Sequence, residues 1–282
     1  MTDNARLLQH RSFVELGARQ RAQALFDPGT FRELLGPFER LMSPWLPRQG
    51  IVPQADDGVI IAKGRLGGRP ALIAAIEGGF QGGSLGEVGG AKIAGALELA
   101  VEDNRNGIPT CAVLLLETGG VRLQEANLGL AAIAEVQAAI VELRAHQPVV
   151  GVIAGAVGCF GGMSIAAGLC SHLLVTREAR LGLNGPQVIE QEAGIEEYDA
   201  RDRPFIWSLS GGEQRHASGL VDGYVADDVE GLRAQLLQLL DTPSVERCRR
   251  HAWFLERLAR LGDDCPQVNA ADVRALYQGE LS

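Results

Sequence analysis

The residues best suited to chemistry in this chain are glycines at two turns. The run from Pro148 to Val175, PVVGVIAGAVGCFGGMSIAAGLCSHLLV, sets end to end a β-branched stretch, a glycine cluster (Gly155, Gly158, Gly161, Gly162), a small-residue segment and a second apolar stretch. It reads as strand, loop, helix, strand, with helix resuming at about Gly162. A helix that opens on a glycine turn aims unpaired backbone N–H groups and the positive end of its dipole at whatever lies in front of it. The pattern occurs twice: Cys111–Leu116 is a buried strand, Glu117-Thr118-Gly119-Gly120 is its turn, and a helix runs from about Leu123 to His146. Close packing of helix on strand would also explain either turn taken alone. Two turns facing one cleft suit thioesters, because removing a carboxyl group or a proton beside a thioester carbonyl leaves an enolate whose oxygen fixed N–H donors stabilise without any side chain.

Other motifs carry less. Gly82-Gly83-Ser84-Leu85-Gly86 matches the G-x-S-x-G elbow of serine hydrolases, with His146, His172, His216 and His251 as possible bases, but no βαβ unit precedes it. Leu209-Ser210-Gly211-Gly212-Glu213 resembles the ABC-type ATPase signature, yet neither lysine belongs to a phosphate loop, and a Ser N-cap is the simpler reading. Arg122 falls in a first helical turn, where the dipole disfavours a cation unless Glu117, Glu125 or a ligand compensates it. Glu190, Gln191 and Glu192 cluster in a later loop.

The elements that must position these turns follow from periodicity. A charged N-terminal helical segment ends at Asp27-Pro28-Gly29-Thr30, and Thr30 is expected to cap a short helix from Phe31 to Met42. Val59–Arg65 and Ala71–Ile76 form a hairpin at Gly67-Gly68, and a helix follows with Ile93, Ala96, Leu97 and Ala100 on its apolar face. Strand, glycine turn and helix in succession imply βαβ units and a mainly parallel sheet. Ile206–Ser218 reads as helix, Gly223–Ala226 as a last strand. Leu232, Leu236 and Leu239-Leu240 then make one helical stripe, and Trp253, Leu255, Leu258 and Leu261 another, with arginines from Arg247 to Arg260 around it.

Composition narrows the partners. The 282 residues carry a formal charge of −9 and only two lysines, Lys63 and Lys92, which argues against nucleic acid. Five cysteines form no C-x-x-C pair, so no zinc site and a reducing compartment are expected. No signal-like segment or uninterrupted apolar run of spanning length is present, so the expectation is a cytoplasmic protein without a membrane.

ETGGVRLQEA at 117–126, VGCFGGMSIAAG at 157–168 and GPQVIEQ at 185–191 resemble, in order and spacing, the carboxyltransferase branch of the crotonase superfamily. ARQRAQALFDPGTFREL at 18–34 and FQGGSLGEVGGAKI at 80–93 extend the resemblance over roughly residues 10 to 230. Within that branch the chain is most similar to β subunits of biotin-independent malonate decarboxylase. The sibling family, the carboxyltransferase β subunit of acetyl-CoA carboxylase, shares the two loops but begins with a four-cysteine zinc ribbon, and here no cysteine precedes Cys111.

The resemblance implies an α/β crotonase/ClpP-like ββα superhelix of the carboxyltransferase N-domain type. It implies an N-terminal helical segment and link over 1–55, the core over 56–230 and C-terminal helices over 231–282, packed on the core or on a partner. The implied reaction turns malonyl on an acyl carrier protein into acetyl plus CO2, with a γ subunit of the same fold and without biotin or metal. Gly119-Gly120 and Gly161-Gly162 would supply the backbone oxyanion donors. Gly82, Gly83, Ser84 and Lys92 would lie near the CoA-like phosphopantetheine arm, with Arg122 also at the substrate. Ser164, also expected at the thioester, stands where hydratases of the superfamily carry a catalytic glutamate, so water addition is not expected. A hydrolase built on Ser84 and a non-catalytic scaffold subunit are the alternatives of a different class.

Overall fold

The computed structural model describes residues 11–52, 57–244, 247–262 and 268–277, the side chains of 247 and 248 excepted. Seven strands lie side by side in chain order: β1 (Arg32–Leu35), β2 (Val59–Leu66), β3 (Arg69–Ile76), β4 (Cys111–Leu115), β5 (Val149–Ile153), β6 (His172–Thr176) and β7 (Gly223–Val225). The first two junctions are antiparallel and the other four parallel. β4, β5 and β6 are buried at every residue, which is why they read as continuous apolar runs.

Helices cover both faces. Helices α1 (Ala18–Leu25), α2 (Glu87–Arg105), α3 (Ala126–Leu143), α4 (Gly162–Leu169), α5 (Pro186–Ala193), α6 (Arg203–Ser210), α7 (Gly212–Ala217), α8 (Val229–Asp241), α9 (Arg247–Ala259) and α10 (Ala270–Leu276) follow in order. On one face Ile93 and Leu97 of α2, Ile133, Val136 and Ile140 of α3 and Met163 of α4 pack on Leu72, Leu114 and Leu173. On the other, Ala22 and Leu25 of α1 and Leu232, Leu236 and Leu239 of α8 pack on Ile73, Val113 and Val152. Sequence-distant α1 and α8 thus share one core.

Three local expectations are corrected. Phe31–Met42 does not form a helix: Arg32–Leu35 is a strand, because the open edge of β2 offers hydrogen bonds that a short isolated helix cannot match. Thr30 instead braces the edge, its hydroxyl donating to the Asp27 carbonyl at 2.8 Å and accepting the Arg65 amide at 3.1 Å. Ser210 caps nothing; its hydroxyl bonds the Ile206 carbonyl at 3.0 Å, and Gly211 breaks the expected helix into α6 and α7. The second C-terminal stripe is only half buried: Leu255 and Leu258 are exposed while Trp253 joins Phe254 and Tyr277 in an aromatic cluster.

A second layer of pairing positions the turns. Beyond β3 to β6 each connection runs on as a short extended stretch before its helix. Leu85 pairs with Val121, Thr118 with Cys159, and Cys159 with Leu181, all parallel. Strand, second-layer stretch and helix therefore repeat, as a ββα superhelix requires. Gly83 sits where the layers touch: its φ is +65°, and a Cβ there would lie 1.9 Å from the Glu117 carbonyl oxygen. Gly83→Ala is expected to lower stability by at least about 2 kcal/mol in denaturant unfolding, since both backbone strain and that contact oppose it.

Candidate functional site

The two glycine turns meet. Thr118 N–H donates to the Gly158 carbonyl at 2.8 Å and Phe160 N–H to the Thr118 carbonyl at 3.0 Å, zipping one turn to the other. A Cβ on Gly120 would come 3.2 Å from the Gly161 Cα, and one on Gly161 would stand 3.3 Å from the Gly120 Cα and 3.9 Å from the Val121 nitrogen. With φ of +103° at Gly120 and +60° at Gly161, both positions favour glycine for conformation as well as for space.

The hydrogen bonds redistribute the expected donors. Gly119 N–H is taken by the Gly82 carbonyl at 2.9 Å, Gly120 N–H by the Thr118 hydroxyl at 3.0 Å, and Gly161 N–H by the Leu183 carbonyl at 2.7 Å. Of the four expected glycines only Gly162 keeps a free N–H, joined by Val121 and by Met163, the second residue of α4; none of these three amides has an acceptor among the described residues. Val121 N–H is passed over between Gly120, which bonds the Thr118 hydroxyl, and Arg122, which bonds the Leu85 carbonyl, while Gly162 and Met163 open α4, where the first amides have no helical acceptor, so the sequence marks the turns but not which amides remain free. Ser164 closes this helix start, its hydroxyl donating to the Gly161 carbonyl at 2.7 Å.

The charged residues expected at the substrate are largely committed within the chain. Arg122 is buried, paired with Glu125 at 3.0 Å and donating to the Ser84 carbonyl at 3.0 Å, while its Nε approaches the Ser84 hydroxyl at 3.4 Å. Glu125 in turn accepts the Glu87 N–H at 2.7 Å, capping α2, so Arg122 is a brace for the Gly82–Gly86 loop rather than a free cation. Lys92 is the most fully engaged of them. It is buried, with its ammonium directed at both Asp57 oxygens at 2.9 Å and the Val59 carbonyl at 2.6 Å, and it has no proton left for a thioester arm. Ser84 does border a cleft of about 390 Å³ with Ile51, Val52, Gln81 and Gln124. Among the described residues no histidine bonds Ser84: His172 bonds the Thr242 carbonyl and His216 stacks on Tyr224.

Arg21 and Arg180 escaped the sequence reading. Arg21 pairs with buried Glu117, and its position with Ala18, Ala22 and Leu25 on the buried face of α1 was the available signal. Arg180 donates to the Ala156 and Val157 carbonyls and lies between the rings of Phe160 and Trp207, at 5.5 and 4.7 Å from their centroids. Burial pushes its guanidinium below the ordinary value. The arginines grouped around α9 are also occupied: Arg250 pairs with Asp222, Arg257 lies over Trp253 and Arg260 pairs with Glu256. Glu190 accepts the Ala200 N–H at 2.7 Å. Cys111, Cys159 and Cys170 are buried thiols, Cys111 pushed by burial up to about 11.

A parallel sheet whose crossovers each lay down a second-layer stretch, with spare amides where two of them end, defines a crotonase-like carboxyltransferase. The chain belongs to the carboxyl transferase domain family, which matches residues 10–249. A chain of the Pseudomonas malonate decarboxylase hetero-tetramer solved with malonate is 72% identical with a TM-score of 0.90, over 98% of this chain and 100% of that one. A chain of the Pseudomonas MdcD-MdcE hetero-dimer is 65% identical with a TM-score of 0.75, over 88% and 97%. The malonyl-S-ACP:biotin-protein carboxyltransferase MADC of Malonomonas rubra is 39% identical over 249 residues, 85% of this chain and 78% of that protein. These close homologues are malonate decarboxylase subunits, as the resemblance implied.

The buried Lys92–Asp57 pair is open to test. Lys92→Met should destabilise by about 3–5 kcal/mol by stranding buried Asp57, whereas Lys92→Met with Asp57→Leu should recover most of that. Thermal and denaturant unfolding measure both, and an unchanged KM for a malonyl thioester in the double variant is the expected companion result.

Proposed function

We propose that this chain is the β subunit of a malonate decarboxylase and that, with a γ subunit of the same fold, it converts malonyl carried on an acyl carrier protein into acetyl on the carrier plus CO2. The free amides of Val121, Gly162 and Met163 at two abutting turns carry this reading. In the reaction the bond between the malonyl methylene carbon and its carboxylate breaks, its electron pair enters the thioester enolate, CO2 departs and a proton is added to the carbon. The scissile bond must stand perpendicular to the thioester plane so that it overlaps the carbonyl, and preformed N–H donors then take up charge as it develops on the oxygen. The phosphopantetheine-type arm would enter beside Ser84 and the Gly82–Gly86 loop.

The need for a partner is supported by what surrounds the turns. The helical stretch 123–143 is apolar enough to cross a membrane by length and composition, yet one face belongs to the core through Ile133, Val136 and Ile140. Its other face leaves Leu123, Leu130 and Val141 exposed, and Ile165 of α4 and Leu183 are exposed as well. An apolar surface beside a site open to solvent suits a covering subunit. The Pseudomonas relatives come from hetero-oligomers, and the Malonomonas relative acts on malonyl-S-ACP.

That Malonomonas relative also passes carboxyl to a biotin protein, which keeps carboxyl transfer as a second reading because both reactions form the same enolate. Avidin separates them: a biotin-independent complex should decarboxylate malonyl-S-ACP at an undiminished rate in its presence. The isolated chain is expected to be nearly inactive and to gain turnover when the γ subunit is added. Leu130→Asp with Ile165→Asp should abolish that gain and the complex itself, read by size-exclusion chromatography, while leaving the chain folded. A hydrolase on Ser84 would lose all activity in Ser84→Ala, whereas backbone-driven decarboxylation should keep much of it.

Substitutions at the second turn separate loss of a donor from backbone strain. Gly161→Val would strain the backbone, since Gly161 sits at φ +60° and ψ −146°. Gly162→Pro deletes one donor at the first helical position, where proline is well tolerated. It should reduce kcat by on the order of 10²–10³ with a melting temperature close to that of the parent. Near-normal kcat in a stable complex would reduce Gly162 to a packing residue.

A further inference from the structure

We propose that Glu117 and Arg21 are positioning residues that hold the two glycine turns in register, an inference that rests on the turns being the reactive site. Glu117 is the residue just before Thr118-Gly119-Gly120, and its side chain is buried where the ends of three strands converge. The chain after β3 makes room for it at Gly78, where a Cβ would stand 2.6 Å from the Glu117 Cγ. The chain after β5 makes room at Gly155, where a Cβ would stand 1.7 Å from Oε1. Only glycine fits at either position while the carboxylate stays in place.

The carboxylate then joins the two turns directly. Its backbone begins the first turn, and its Oε1 accepts the Val157 N–H at 3.3 Å, in the loop that leads to the second. Oε2 pairs with Nη1 of Arg21. Arg21 is itself fixed, Nε donating to the Phe13 carbonyl at 3.0 Å and Nη2 to the Val14 carbonyl at 2.5 Å. The Phe13 and Val14 amides are in turn held by Asp227, at 2.7 and 2.9 Å, in the segment after β7. The pair thus anchors both turns to a frame made from the two sequence extremes of the core.

A buried ion pair is a poor device for stability alone, because apolar residues of similar volume often serve as well. What it adds here is direction: a carboxylate with two oxygens assigned to different elements fixes their relative placement. A shift of the first turn against the second by a fraction of an ångström would separate the Val121 amide from those of Gly162 and Met163.

The test compares wild type, Arg21→Met/Glu117→Met and Glu117→Gln, each assembled with the γ subunit. The apolar double variant should assemble with near-normal thermal stability, while its kcat on malonyl-S-ACP falls at least about tenfold and KM stays within about twofold. Should the double variant not assemble, Glu117→Gln, which keeps the side-chain shape and an acceptor for Val157, decides on the same kcat-against-KM split. Hydrogen exchange, which needs no turnover, provides the arm independent of the reaction: peptides spanning 117–122 and 155–163 should both exchange faster in the variants. Faster exchange in both peptides supports the pair's role even if malonyl-S-ACP proves not to be the substrate. Activity lost only in proportion to complex lost, normal kcat in a stable complex, or unchanged exchange in either peptide overturns the proposal.

Discussion

Parallel pairing between the two glycine turns is the constraint on which the site depends. Once Thr118 and Cys159 lie side by side, most amides of the two turns are taken by neighbouring stretches or by the Thr118 hydroxyl, and the start of α4 is set beside Gly120. Among the described residues Val121 N–H finds no acceptor in that pairing, and Gly162 and Met163 find none because they form the first turn of α4. Amide donors held in this way need no flexible side chain to be ordered and are in place before any ligand arrives.

That geometry also explains where glycine is required. At Gly120 a Cβ would stand 2.9 Å from the Phe160 carbonyl oxygen and at Gly161 it would be tight at 3.3 Å, and both residues adopt φ values that side chains disfavour. At Gly83, Gly78 and Gly155 the requirement is different: these positions leave room for the backbone and carboxylate of Glu117. The glycine abundance around the site is therefore the counterpart of one buried acidic residue as much as of the turns.

Charge in the interior is used for bracing. Arg21–Glu117, Lys92–Asp57 and Arg122–Glu125 are all buried pairs that tie a loop to a helix or to another loop around the turns. Breaking any one would strand a buried charge, so each brace holds its segment in one arrangement, though none is efficient as a source of net stability. With these side chains committed, the backbone amides are left as the groups available to a developing negative charge.

The sequence by itself determined the architecture: continuous apolar strands followed by glycine turns and amphipathic helices leave few alternatives to a parallel sheet with covered faces, and the hairpin at Gly67-Gly68 is equally local. The places of Gly120 and Gly161 were legible for the same reason, since a strand handing over to a helix through paired glycines is a short-range pattern. The register between turns was not legible. Whether Gly119 or Val121 keeps its N–H depends on which amides meet the Gly82 and Leu85 carbonyls, partners distant in the chain that no short-range pattern reveals. The strand at Arg32–Leu35 escaped because the edge it pairs with begins 24 residues after it ends, from Leu35 to Val59. The fates of Lys92, Arg122 and Arg21 were decided by burial beside Asp57, Glu125 and Glu117, and a charged residue's type does not reveal whether its partner will be a ligand or a distant carboxylate of its own chain.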